Sequence, residues 1–174
     1  GEFEIISKYL KDFENIIYKR LDYDPGIYAC WNIAISLANG IYINTGNVDD
    51  IKKSDSLSIL SAHLDKNPDI DLVYSDSYIS NSYCRTFDDG VFHSEKHFNF
   101  PEFSFSNLLN CNPPHNSPLY RKSLHERFGI FLETYHSASD YEFWLRCAKG
   151  GAIMKKVNEL LGVYFWNPKG MSTN

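Results

Sequence analysis

Two adjacent carboxylates, Asp49 and Asp50, follow the short apolar run 41–43, which predicts a buried strand. Carboxylate oxygens are the ligands that Mg²⁺ and Mn²⁺ prefer, and such a cation can bridge the phosphates of a diphosphate. A solvated turn is the alternative, because Asp is common in loops, and taken alone the pair favours the turn. We interpret a second acidic pair, in the sequence Asp88-Asp89-Gly90, as a turn.

Asp140 stands at the start of a predicted amphipathic helix that runs towards Lys149. The apolar face of this helix carries Tyr141, Trp144, Leu145 and Ala148. A carboxylate in this position can cap the free N–H groups of the helix. It can also act as a general base that removes a proton from an incoming hydroxyl. The sequence leaves both roles open.

The segment Asn112-Pro113-Pro114-His115-Asn116 is the third candidate. Its two prolines fix the backbone, so His115 and Asn116 lose little entropy when they bind a ligand. The six histidines of the chain show no metal-ligand spacing, and a single histidine is more often structural than a ligand. No Ser/His/Asp or Cys/His arrangement and no Gly-rich phosphate loop is visible.

The elements that must position these residues alternate between helix and strand. Helical spacing of apolar residues predicts helices over 27–38, 54–64, 122–128 and 140–149. Short apolar runs predict strands at 16–19, 41–43, 72–74, 119–120, near 153 and at 163–166. This alternation predicts an α/β architecture with a mostly parallel sheet flanked by helices. The loop with Asp49 and Asp50 then lies at the carboxyl end of a strand, where open α/β sheets bind ligands.

Composition narrows the function classes. The 174 residues suffice for one domain or for part of a larger one, and the net charge is −5 with no run of more than two basic residues. An extensive interface with the phosphate backbone of nucleic acid is therefore excluded. No apolar stretch approaches the roughly 20 residues of a transmembrane segment. The four scattered cysteines predict reduced thiols and a cytoplasmic protein. The 16% aromatic share fits sugar stacking and a packed core equally well.

Read in order, five segments resemble family 2 glycosyltransferases. They are DPGIYACWN at 24–32, LANGIYINTGNVDD at 37–50, NPDIDLVY at 67–74, RKSL at 121–124 and SDYEFWLR at 139–146. The resemblance covers nearly the whole chain and is weakest at 81–101, where periodicity is lost and we expect an irregular loop. It implies a GT-A fold with a Rossmann-like sheet and an enzyme of polysaccharide biosynthesis. The donor would be a nucleotide-sugar and the acceptor a glycan or a lipid-linked molecule.

The resemblance also implies roles for single residues. Asp50 would bind the metal, Mn²⁺ or Mg²⁺, and Asp49 would assist the metal or contact the ribose of the donor. Asp140 would be the catalytic base of an inverting transfer. Asn32 and Asp24 would lie near the donor nucleotide.

On the acceptor side we place His115, Asn116 and Trp144. The expected division of the chain is a donor and metal part at 1–80, the irregular loop at 81–101, and an acceptor and catalytic-base part at 102–174. We expect the protein in the cytoplasm or at the membrane surface.

Two departures from the family pattern define the alternatives. Asn47 stands where many members carry the first Asp of the acidic loop, and the initial strand–helix–strand unit has no counterpart in the chain. We therefore expect a GT-A domain that lacks its first strands and that can form a homo-oligomer through an exposed sheet edge. The alternatives are a degenerate, non-catalytic GT-A module that binds a glycan or a protein partner, and a metal-dependent phosphotransferase or hydrolase on an unrelated α/β sheet.

Overall fold

A computed structural model describes residues 2–170, which form seven helices and six strands. The helices are α1 Glu2–Tyr9, α2 Ile27–Leu37, α3 Ser56–Lys66, α4 Phe87–Phe92, α5 Phe105–Asn110, α6 Ser123–Phe128 and α7 Ser139–Lys149. The strands are β1 Tyr42–Asn44, β2 Ile51–Lys52, β3 Leu72–Ser80, β4 Ser94–His97, β5 Leu119–Arg121 and β6 Met154–Phe165. The predicted helices over 27–38, 54–64, 122–128 and 140–149 are thereby confirmed as elements, with small shifts of their ends.

The six strands form one sheet in the order β1-β5-β3-β6-β2, with β4 added beside β3. The central strands β3 and β6 run parallel, and every other pairing among residues 2–170 is antiparallel. The α/β class is confirmed, but the mostly parallel direction is wrong. Alternation of strands and helices predicts parallel strands only where each helix crosses over the sheet, and here β2, β4 and β5 run opposite to β3 and β6.

Strand β6 is a single element of twelve residues where the sequence predicted two short strands. Its register against β3 shifts twice, so that Val157 pairs with Ser75 and Leu160 with Asp76. The polar residues Asn158 and Glu159 lie in the first of these irregularities. A bulge lets a strand continue past residues that break its apolar alternation, which is why periodicity did not reveal the whole strand.

The segment 81–101, expected to be irregular, contains α4 and β4. The Thr86 side chain accepts a hydrogen bond from the backbone N–H of Asp89 and so caps α4. Residues 88–90 lie inside this helix, so the turn predicted there is wrong. Gly90 lets α4 approach the sheet, because a Cβ there would lie 2.7 Å from Cγ2 of Val163. Helix α4 depends on the Thr86 cap and on the close contact of Gly90 with Val163, and neither feature produces a periodic apolar pattern in the sequence.

The core lies on both faces of the sheet. The larger cluster joins the sheet to α2, α6 and α7 and includes the fully buried rings of Tyr120, Phe131 and Phe143. The smaller cluster lies under α3 and centres on Leu60 and Leu64. Helix α1 contributes no buried residue, and residues 16–19 form no strand, so that predicted strand is wrong. No helix among residues 2–170 has the length and apolar character needed to cross a membrane.

Candidate functional site

Asp50 lies at the end of the loop that leaves β1, immediately before β2. Its Oδ1 accepts a hydrogen bond from the backbone N–H of Phe165 on β6 (3.1 Å), and its Oδ2 accepts one from Nδ2 of Asn47 (2.7 Å). Burial raises the pKa of Asp50 above its usual range, and the two hydrogen bonds offset part of that effect. The carboxylate is thus held in a fixed orientation at the sheet.

Lys52 closes the same loop. Its Nζ donates to the backbone oxygen of Thr45 at 3.0 Å, which joins the two ends of the turn. Burial lowers the pKa of Lys52, and the negative charge of Asp50 counters that effect. Hydrogen bonds made by its own polar side chains therefore join the loop to itself and to β6.

Asp49 makes no hydrogen bond or ion pair with any other described residue, and its charge contributes to the raised pKa of Asp50. Within residues 2–170 no group of three or more His, Cys, Asp or Glu side chains could hold a metal ion. Two carboxylates are nevertheless the donor set with which Mg²⁺ is commonly held when substrate phosphates and waters complete its coordination. Asp49 and Asp50 fit that kind of shared site and do not form a cage of protein ligands alone.

Asp140 lies in the first turn of α7 and its carboxylate points to other elements. Its Oδ1 accepts a hydrogen bond from the hydroxyl of Tyr28, and its Oδ2 accepts one from Nδ2 of Asn112, both at 3.1 Å. The N-cap position belongs to Ala138, in the left-handed conformation, and no side chain caps the helix. The capping role considered for Asp140 is therefore wrong, and its oxygens are oriented by two neutral donors.

Tyr28 reaches Asp140 from the first turn of α2. Its ring packs edge-on against Trp31 (5.4 Å between centroids) and lies 6.1 Å from Phe131. Burial, followed by the negative charge of Asp140, raises the pKa of Tyr28 to about 12. The hydroxyl stays protonated near neutral pH and acts as a steady donor to the carboxylate.

His115 is partly buried and feels the negative charge of both Asp50 and Asp140. The charges of Asp50 and Asp140 each favour its protonated form, but burial outweighs them and lowers the pKa of His115. Its backbone φ of 31° is in the left-handed region, which costs a non-glycine residue about 1 to 3 kcal/mol. The ring centroid lies 4.9 Å from that of Tyr164 and 5.0 Å from that of Phe98, and this packing holds the strained residue in place.

A buried ion pair fixes the chain that carries Phe98. Lys156 on β6 and Asp76 on β3 lie 2.7 Å apart, with only 6% and 12% of their side chains exposed. Together they hold the backbone of one residue, because Phe100 donates its N–H to Asp76 and accepts from Lys156 through its oxygen (2.8 and 2.6 Å). The rings of Phe98 and Phe100, which pack against His115, therefore depend on this ion pair for their position.

Replacing Lys156 with methionine is expected to lower the free energy of unfolding by about 3 to 5 kcal/mol, because Asp76 is then buried without its partner. Urea unfolding followed by circular dichroism measures the change. Lys155→Met is the matched control, since the neighbouring Lys155 side chain is exposed and makes no ion pair with another described residue. Equal stability of the two variants would show that the ion pair contributes nothing.

Two of the predicted acceptor residues, Trp144 and Asn116, are buried. Trp144 is 1% exposed and packs against Tyr120 and Phe143, so its predicted contact with an acceptor is wrong. It belongs to the apolar face of α7, which turns towards the core. Asn116 is buried and its Oδ1 accepts a hydrogen bond from Ser77, so an acceptor contact there stays a prediction.

The two predicted donor residues lie on α2 and on the turn before it. Asn32 donates to the backbone oxygen of Phe131 and to Glu133, and accepts from the N–H of Phe131 (2.9 to 3.1 Å). These bonds use both N–H groups of its amide and tie α2 to the segment before α7. Asp24 accepts from the N–H of Gly26 at 2.9 Å in the turn that starts α2. Contact of either residue with a nucleotide stays a prediction.

Asp50 and Asp140, which are far apart in the sequence, both act electrostatically on His115. The structure adds Tyr28 and Asn112, for which the sequence analysis predicts no role of their own. Asn112 stood in the segment 112–116, but its contact with Asp140 depends on the packing of α7. Tyr28 occupies the apolar stripe of α2, and its hydroxyl is the one signal that could have marked it.

No protein-family model matches the chain. Individual proteins of known sequence do match it. An uncharacterized glycosyltransferase of Methanocaldococcus jannaschii is 25% identical over 161 residues, which cover 92% of this chain and 54% of that protein. A PGL/p-HBAD biosynthesis glycosyltransferase of Mycobacterium tuberculosis is 26% identical over 144 residues, 82% of this chain and 51% of that protein. The chain thus spans about half the length of the curated relatives it matches.

Among solved structures, S. aureus TarS 1-349 in complex with UDP-GlcNAc superposes with a TM-score of 0.74 at 18% identity, covering 99% of this chain and 48% of that one. The TarS 1-349 structure described without a ligand gives a TM-score of 0.71 at 19% identity. At this identity the match shows the fold alone. The resemblance to a GT-A glycosyltransferase and the GT-A-like α/β fold are confirmed, and an unrelated α/β sheet is ruled out. Membership of family 2 in particular stays a prediction.

Proposed function

We propose that the protein transfers a sugar from a nucleotide-sugar donor to a hydroxyl of a carbohydrate or lipid-linked acceptor. The observation that carries this proposal is the presence of two carboxylates, Asp50 and Asp140, that are each oriented by two hydrogen bonds within a GT-A-like fold. The relatives named as glycosyltransferases and the neighbour that binds UDP-GlcNAc support it.

The donor side of the proposed site is the loop with Asp49 and Asp50. A divalent cation, Mn²⁺ or Mg²⁺, would offset the negative charge on the departing nucleoside diphosphate. Asp50 is oriented for this role by Phe165 and Asn47, and it keeps lone pairs on both oxygens after accepting their hydrogen bonds. Asp49 adds a second carboxylate that no described residue engages.

The acceptor side is Asp140. Its carboxylate would accept the proton of the attacking hydroxyl while Tyr28 and Asn112 hold its two oxygens. These contacts restrict the carboxylate to one orientation and leave further lone pairs for a substrate hydroxyl. Attack from that side in one displacement inverts the anomeric centre.

Burial lowers the pKa of His115, which favours the neutral imidazole, and the charges of Asp50 and Asp140 both act on this ring. A neutral imidazole can donate one hydrogen bond and accept another, so His115 can orient a substrate group without adding charge. This supports the role predicted for it as an acceptor contact.

We also propose the homo-oligomer through an exposed sheet edge that the sequence analysis expects. Strand β1 pairs on one side with β5 and lies at one edge of the described sheet, opposite the edge formed by β2. An edge strand presents unpaired backbone groups to a second strand, so a homo-oligomer through β1 is a reasonable part of the proposal.

One observation favours a second function, that of a non-catalytic module that binds a glycan or a protein partner. The acidic loop carries Asn47 in place of a third carboxylate, and its amide binds Asp50 at 2.7 Å. Because Asn47 is uncharged and its amide already binds an oxygen of Asp50, the loop offers a cation fewer charged oxygens. The two functions differ in whether the protein binds a nucleotide-sugar together with a metal ion.

Calorimetric titration separates them. The protein at its natural full length is titrated with UDP-GlcNAc, UDP-glucose and GDP-mannose, each with Mn²⁺ and with excess EDTA. We expect heat of binding for at least one nucleotide-sugar, with a large loss of affinity in EDTA. Absence of binding for a broad set of nucleotide-sugars in the presence of Mn²⁺ would count against the transferase and favour the module.

A further inference from the structure

Trp166 follows the last residue of β6 and leaves 47% of its surface exposed. It lies at a small cavity of about 280 Å³, lined by Ile79, Asn81, Glu95, Lys96 and Trp166 itself. The indole is held in position: its backbone N–H donates to Ser80 at 2.8 Å, and its ring packs edge-on against Tyr164 at 6.4 Å. An aromatic ring that is both exposed and fixed is prepared for a flat apolar ligand surface.

The polar side chains of this cavity are not used by the fold. The side chains of Asn81, Glu95 and Lys96 make no hydrogen bond or ion pair with another residue of the described range 2–170. The register of β4 against β3 explains how two consecutive residues can line one cavity. Ile79 pairs with Lys96 and Ser80 with Ser94, so Glu95 is the extra residue of a bulge, which re-aims its side chain.

This combination matches the chemistry of a sugar. One face of a pyranose is apolar and packs against an aromatic ring, while its hydroxyls need both donors and acceptors at the rim. Asn81 supplies both, Glu95 accepts and Lys96 donates. The opposite charges of Glu95 and Lys96 leave the rim without net charge, which does not favour a phosphate or an anionic lipid headgroup.

The cavity adjoins the proposed transfer site. Tyr164 pairs with Ile79 in the parallel ladder, so both side chains share a face of the sheet. On that face Tyr164 packs against His115 at 4.9 Å on one side and against Trp166 on the other. Phe165, between the two rings in sequence, donates its N–H to Asp50. A ligand on Trp166 is thus one aromatic ring away from His115.

We propose that the Trp166 cavity binds a sugar unit of a glycan acceptor, at a distance from the hydroxyl that reacts. This inference rests on the proposed sugar transfer and deepens it, because it makes the acceptor a chain of at least two sugars. Trp166 is a binding residue in this scheme and takes no part in proton transfer. It replaces Trp144, which the core encloses, as the tryptophan that contacts the acceptor.

The test is glycan binding by Trp166 variants. An array of oligosaccharides with common hexose, N-acetylhexosamine and uronic acid linkages is probed with the protein at its natural full length. The best ligand is then titrated by calorimetry. Trp166→Ala is expected to weaken binding about 10-fold or more, as loss of an aromatic contact predicts, while Trp166→Phe keeps most of the affinity. Phe92→Ala, which removes a ring that is 83% exposed on α4, is the control and should bind as the unmodified protein does.

Nucleotide-sugar binding is measured on the same samples and should not change in any of these variants. Binding of a nucleotide-sugar without binding of any glycan on the array would overturn the cavity proposal and leave the proposed transfer standing. Equal glycan affinity of Trp166→Ala and the unmodified protein would also overturn it. Glycan binding through Trp166 without nucleotide-sugar binding would instead overturn the acceptor role and support the non-catalytic module.

Discussion

Replacing Asp140 with asparagine is expected to lower kcat for sugar transfer by about 10²- to 10⁴-fold, the range typical of a lost general base. Asparagine has nearly the same shape but cannot take the proton of the acceptor hydroxyl. The fold should survive, because the new amide can accept from Asn112 through its oxygen and donate to Tyr28, whose hydroxyl is both donor and acceptor. Initial rates and donor affinity, measured on the same preparation, check both halves of this prediction.

Glu142→Gln is the matched control. It removes one negative charge two residues further along α7, where Glu142 pairs with Arg146 at 2.8 Å. A glutamine can still accept a hydrogen bond from Arg146, so kcat should stay close to that of the unmodified protein. If Asp140→Asn retained full activity, the base would have to be another group. If it lost donor binding as well, Asp140 would be a structural residue.

The elements that the sequence predicted correctly are those whose apolar residues repeat at helical spacing. In α3, Leu60 and Leu64 are four residues apart and both are buried, so the pattern and the packing coincide. The direction of the strands is a different kind of information. It depends on which side of the sheet each connection returns to, and the connection from β3 through α4 to β4 reverses the chain without any signal in the periodicity.

In the candidate site, too, the sequence predicts single residues but not their arrangement in space. Asp50, Asp140 and His115 could be chosen from the sequence because acidic loops, helix starts and Pro-rich turns restrict where a polar side chain can go. Their surroundings could not be predicted, since β6 brings Phe165 to Asp50 and Tyr164 to His115 only in the folded sheet. Trp144 was misassigned because its chemistry suits a sugar, although its place on the apolar face of α7 already indicated burial.

Replacing Asp50 with asparagine is expected to lower Mn²⁺-dependent activity by about 100-fold, because one of the two proposed metal carboxylates is lost. The local structure should hold, since the amide of Asn47 can turn to accept from the new side chain while Phe165 still donates to its oxygen. The measurements are the apparent affinity for Mn²⁺ and the rate at saturating donor. Asp88→Asn is the matched control, because Asp88 belongs to the other acidic pair and its side chain is exposed on α4.

The pH dependence of metal affinity provides an independent check on Asp50. A proton competes with the cation for the same carboxylate, so metal affinity should fall as the pH is lowered. Because burial raises the pKa of Asp50, this fall should begin at a higher pH than for an ordinary aspartate. The dependence should be much weaker in Asp50→Asn, where the competing proton site is gone. An unchanged pH profile and unchanged Mn²⁺ stimulation in that variant would place the metal elsewhere and refute the assignment of Asp50.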